Sequence, residues 1–97
     1  MHENIPKHLS STFTILKSAY PNDIPSDDYL PLLRLLYEEM SDRNLALVVG
    51  ELIDKNAVQV LNDIYKAATS VRLEGHEVRQ VQRVLSRNGY DKWLKEE

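Results

Sequence analysis

Apolar side chains recur along this chain at three- and four-residue intervals, and no stretch alternates long enough to predict a strand. Leu9, Phe13, Leu16 and Tyr20 make one such stripe, predicting a first helix over residues 5–20. Ile5 and Pro6 open it, where a missing N–H costs nothing, and Pro21 ends it by pushing the preceding residue out of the α region. The second predicted helix, 29–40, places Leu32, Leu33, Leu35, Leu36, Tyr37 and Met40 around more than half its circumference. That pattern suits a helix with neighbours on several sides. Ser41 caps a third helix over 42–55, with Leu45, Val48, Val49, Leu52 and Ile53 inward. Leu47 falls on the opposite face with Arg43 and Asp54, as a small exposed contact or a second packing surface.

Asn56 reads as a left-handed stop, followed by a short connection, "NAVQV". The fourth helix is expected over 61–71, with Leu61, Ile64, Tyr65, Ala68 and Val71 inward. A fifth covers 76–88, with Val78, Val81, Val84 and Leu85 buried and Gly89 terminating it. Residues 89–97 form a tail whose Tyr90, Trp93 and Leu94 are suited to fold back onto the bundle. The expected fold class is all-α: a single-domain, compact bundle of about five short helices.

The stretch "YPNDIPSDDYLPLLRLL" joins the first two helices. Pro, Asn and Asp set turn geometry locally, so "PNDIP" reads as a tight connection. Ser26, Asp27 and Asp28 then offer side-chain oxygens to the free N–H groups of the next helix, with Pro31 in its first turn.

At 97 residues with 42% apolar side chains, the chain can bury one modest core. No apolar run approaches the roughly 18 residues needed to cross a bilayer. The start, "MHENIPKHLSSTF", lacks a secretory signal's apolar segment, so the expected setting is the cytoplasm, without a membrane partner. The absence of cysteine removes disulfides, thiol nucleophiles and thiolate metal sites together. A net charge of −3 disfavours general nucleic-acid binding. The charge is uneven, however: residues 1–63 carry −5 and residues 64–97 carry +2.

Catalytic signatures are lacking. His2, His8 and His76 have no i, i+4 pairing and no Glu-x-x-His neighbourhood, so neither a metal site nor a cofactor is expected. Adjacent acids at Asp27–Asp28 and Glu38–Glu39 diverge by about 100° on a helix and do not make a general acid/base pair. Ser10 and Ser11 lack a nucleophile elbow, and Gly50, Gly75 and Gly89 are too far apart to cradle a phosphate. A non-enzymatic protein is the expectation.

Several of these residues together carry a resemblance. Tyr20-Pro21, Pro25, Asp28-Tyr29, Pro31-Leu32-Leu33 and Leu35-Leu36, then "LVVGELI", Asp63-Ile64 and "VQRVLSRNGY", resemble a family of small helical bacterial proteins, mainly actinobacterial, described only as a domain of unknown function. The likeness spans residues 9–90. It departs from the family's pattern at Asn56, where glycine is usual, and at Tyr90, where tryptophan is. The resemblance implies a compact all-α bundle and no assigned activity.

Two surfaces remain as working parts. Arg79, Arg83 and Arg87 repeat every four residues opposite Val78, Val81 and Leu85, forming a row able to grip an acidic or phosphorylated partner. Arg72 and His76 are positioned to extend it, and Lys92 and Lys95 follow; a plain solvated face is the competing reading. The alternative is nucleic-acid binding through a helix-turn-helix-like hairpin at 42–71. Its second helix, however, offers Asn62 and Asp63 where base-reading donors are needed. Oligomeric state is left open, with Leu47, Trp93 and Leu94 as possible self-contacts.

Overall fold

The structure, a computed structural model, describes residues 5–69 and 75–95. A 3₁₀ turn at Lys7–Leu9 leads into α1 (Ser10–Ala19), followed by α2 (Ser26–Tyr37), α3 (Asp42–Ile53), α4 (Ala57–Thr69), α5 (Gly75–Ser86) and α6 (Tyr90–Lys95). No strand occurs among the described residues, so the all-α class holds. The radius of gyration, 12.3 Å, matches the roughly 12.5 Å of a compact chain this long.

Helix α2 occupies the middle. It packs on α3, α4 and α5, while α1 lies across α3, α5 and α6. Leu32, Leu33 and Leu36 of α2 are buried, as the wide apolar face requires, although Tyr37 is 43% exposed. The α1 stripe of Leu9, Phe13, Leu16 and Tyr20 is buried throughout, as are Leu45, Val48 and Val49 of α3 and Val81 and Leu85 of α5. Between Leu16, Leu36, Leu85 and Trp93 only about 10 Å³ is left, room for about one water molecule at most.

The local signals explain most boundaries. Ser41 caps α3, its side chain accepting from the Asn44 N–H at 3.1 Å. Gly89 has φ +98°, a conformation that L side chains avoid, and its carbonyl accepts from the Trp93 N–H at 3.0 Å to start α6.

Several expectations need correction. The helix count is six α-helices among the described residues, because residues 90–95 form α6 where a tail was expected. Tyr90 and Trp93 are buried and stack with ring centroids 5.6 Å apart. Helix α2 spans 26–37 instead of 29–40. Pro25, at φ −56° and ψ 144°, hands the chain into the helix, and its carbonyl accepts from the Asp28 N–H at 2.9 Å. Pro31 therefore sits in the second turn, where it deprives the exposed Asp27 of its backbone donor.

The left-handed residue is Asp54, at φ 57°, and not Asn56. The Lys55 N–H bonds the Gly50 carbonyl at 2.8 Å, and a Cβ on Gly50 would stand 2.7 Å from the Lys55 oxygen. Glycine is needed there for close approach. Asn56 instead opens α4, its Oδ1 accepting from the Val58 N–H at 2.7 Å, so "NAVQV" is helix. The earlier start adds Val60 to the buried face beside Ile64 and Ala67. Tyr65, expected inward, is 62% exposed. Val71 lies outside the described residues.

Candidate interaction surface

Helix α5 buries Val81 and Leu85, and the four-residue spacing of its arginines places them away from that face. Arg79, Arg83 and Arg87 are all exposed. Arg87 lies one residue past the end of α5, yet its N–H still bonds the Arg83 carbonyl at 3.2 Å, which keeps it on the helical path. With Gln82 and Ser86 they line one shallow groove of about 360 Å³. Among the described residues, no ion pair occupies any of the three guanidiniums.

The extensions expected from sequence do not all join this row. Exposed His76 faces a second groove with Gln80 and the start of α2, and Arg72 lies outside the described residues. Lys92 belongs to a neighbouring groove with Ser11, Thr14 and Trp93. At the row's end, the Ser86 hydroxyl donates to Asp91 Oδ1 at 3.2 Å, which sets one carboxylate beside the basic groups.

The best-connected polar cluster is one the sequence reading did not assemble. Asp63 Oδ2 accepts from Tyr29 Oη and from Lys55 Nζ, both at 2.7 Å, joining α2, the α3–α4 connection and α4. Lys55 Nζ also lies 5.2 Å from the centre of the Tyr29 ring, and Lys66 Nζ is 4.0 Å from Asp63 Oδ1. Partial burial alone would raise the Asp63 pKa, but the hydrogen bonds from Lys55 and Tyr29 and the nearby ammonium charges outweigh it and hold the carboxyl below its ordinary value. Burial, then the bond to Asp63, pushes the Tyr29 hydroxyl well above its ordinary value. Five residues after Tyr29, Arg34 Nη1 donates to the Ala68 carbonyl at 2.6 Å, satisfying a backbone group near the end of α4.

A smaller pair closes the connection before α2. Tyr20 Oη donates to Asp28 Oδ2 at 3.2 Å, and the Ile24 N–H bonds Asp23 Oδ1 at 2.8 Å. The prolines around them punctuate the chain. Tyr20, Asp28, Tyr29 and Asp63 were each visible as motif residues, but only three dimensions pair them, across 8 and 34 positions.

Chemically, these carboxylates are committed to internal donors. No group of three His, Cys, Asp or Glu side chains able to hold a metal occurs among the described residues. The α3–α4 hairpin exposes Val58, Gln59, Asn62, Tyr65 and Lys66 along α4, while Lys55, its nearest cation, is held by Asp63. A polar groove of about 510 Å³ runs between His8, Ser11, Glu39 and Asn44, over Leu9, Met40 and Trp93. No described helix is long and apolar enough to cross a membrane. No curated protein and no solved structure matches the chain. A family model described as "Protein of unknown function (DUF3349)" matches residues 7–95, and the chain belongs to that family.

Proposed function

We propose that this protein is a non-enzymatic macromolecular interaction domain that binds through an exposed helix face, with Arg79, Arg83 and Arg87 as donors to an acidic or phosphorylated partner. The observation that carries the reading is the row itself: three exposed guanidiniums along one helix, with no ion pair among the described residues. Arginine suits the role because its planar fork bonds carboxylate or phosphate oxygens two at a time. Elsewhere most apolar side chains are spent on one core and the best-placed carboxylates on internal bonds, which supports a surface-binding role over chemistry in a pocket. The proposal includes a bacterial setting, suggested by the resemblance that residues 20–36 carry, and a cytoplasmic one.

The test replaces Arg79, Arg83 and Arg87 together with Ser and compares the proteins recovered on wild-type and variant baits. Loss of a specific partner supports the proposal, and an unchanged set rules this surface out. Nucleic-acid binding through the α3–α4 hairpin has weaker support, since Lys55 is already engaged and Lys66, the other cation among the described residues of α4 and its start, also lies near Asp63. Duplex affinity falling steeply with salt, and insensitive to the arginine changes, would move the reading there.

A further inference from the structure

We propose that the α5 row docks an acidic helix of another protein, one bearing Glu or Asp at positions i, i+4 and i+8; this rests on the reading of the arginine face as an interaction surface. A helix rises 1.5 Å per residue, so every fourth side chain springs from the axis about 6 Å further on. Arg79, Arg83 and Arg87 thus repeat at about 6 Å over a span of about 12 Å. A facing helix has the same repeat along its own four-residue row, which lets each carboxylate meet one guanidinium in register. Such rows tilt by about 26° to their axes, so laying one along the other crosses the helices at about 50°, the commonest packing angle between helices.

The side chains favour this geometry. Long helical side chains lean towards the N-terminus. Arg79 does so here, its Nη1 lying 3.5 Å from where a Cβ on Gly75 would stand. Neutral Gln82 and Ser86 share the groove with the three arginines, whose aliphatic stems add methylene surface to the charge. A helix with aliphatic groups flanking its acids uses both; a sugar–phosphate chain uses only the charge. A long polyanion would also meet Asp91 at the end of the row and, beyond it, a chain whose first 63 residues carry −5. A second copy is a poor occupant, because no helix among the described residues carries two acids four positions apart.

The test is fluorescence anisotropy with labelled peptides of about 18 residues, five helical turns, titrated with the full chain at about 20 mM salt. One peptide carries Glu at i, i+4 and i+8. An isomer of identical composition and helicity spreads the same residues around the helix. Binding of the row peptide about tenfold tighter than the isomer, weakened about fivefold by Arg83→Ser and partly restored by Arg83→Lys, supports the proposal. Equal binding of the isomer, or tighter binding of a single-stranded oligonucleotide, overturns it. If that failure comes with a triple Ser variant that still loses its cellular partner, the arginine face stands and only the acidic-helix occupant falls. Circular dichroism of each variant confirms that the exposed changes leave the fold intact.

Discussion

Replacing Asp63 with Asn is the sharpest probe of how this bundle is clasped. The carboxylate is 14% exposed and its Oδ2 receives two donors at 2.7 Å, from Tyr29 and Lys55. A hydrogen bond to a charged group contributes roughly 1.5–3 kcal/mol when buried. The Lys55 side chain is 36% exposed, which discounts its share to about 1 kcal/mol or less. The amide oxygen of Asn keeps a neutral, weaker bond to Tyr29, while Lys55 turns to water. The expected loss at pH 7 is therefore about 1–2 kcal/mol by urea denaturation. For a chain of this size, unfolding entropy near 0.2 kcal/mol/K converts that into a fall of roughly 5–10 °C in Tm.

The pH dependence separates charge from packing. The Asp63 pKa is lower in the folded state, so its contribution is fully present above the ordinary carboxylate value of about 4. It is lost as pH falls through the lowered folded value. The gap between wild type and Asp63→Asn should accordingly be widest near neutrality and close towards pH 3. A gap that is the same size at both pH values, or below about 0.3 kcal/mol at pH 7, would refute the argument that a charged clasp ties α2 to α4.

Other perturbations follow from the packing. Trp93→Phe removes the indole N–H that donates to Thr12 Oγ1 at 2.9 Å across 81 positions. Calorimetry should show a loss of about 1–3 kcal/mol, with Thr12→Val costing less in the Phe background than in the wild type. Gly50→Ala should destabilise by about 1–3 kcal/mol despite alanine's higher helix propensity, because its Cβ meets the Lys55 carbonyl. Leu32→Ala, at a fully buried site in the central helix, should cost about 2–5 kcal/mol in a urea titration. Tyr65→Ser should stay within about 0.5 kcal/mol of wild type, since that ring faces solvent.

Local regularity decided which features were legible. The stripe of Leu9, Phe13, Leu16 and Tyr20 could be read because a helix repeats its contacts every three or four residues, and the arginine row for the same reason. Ser41 was legible as a cap because its bond closes within three positions. Asparagine tolerates positive φ better than most residues, so Asn56 read as the left-handed stop; the structure gives that conformation to Asp54 and lets Asn56 open α4. Helix α6, six residues long, is too short for periodicity to register, and the bond between Trp93 and Thr12 leaves no mark in nearby sequence. The Asp63 cluster escaped notice for a related reason. Nothing about a tyrosine and a lysine lying 34 and 8 positions before an aspartate announces that they share one of its oxygens.

The central place of α2 has a consequence for synthesis. Its wide leucine face is covered by α3, α4 and α5, all of which leave the ribosome after it. Until α5 emerges, the growing chain must hold Leu32, Leu33 and Leu36 without their full set of neighbours, so a product stopped before residue 75 would present greasy surface to chaperones and proteases.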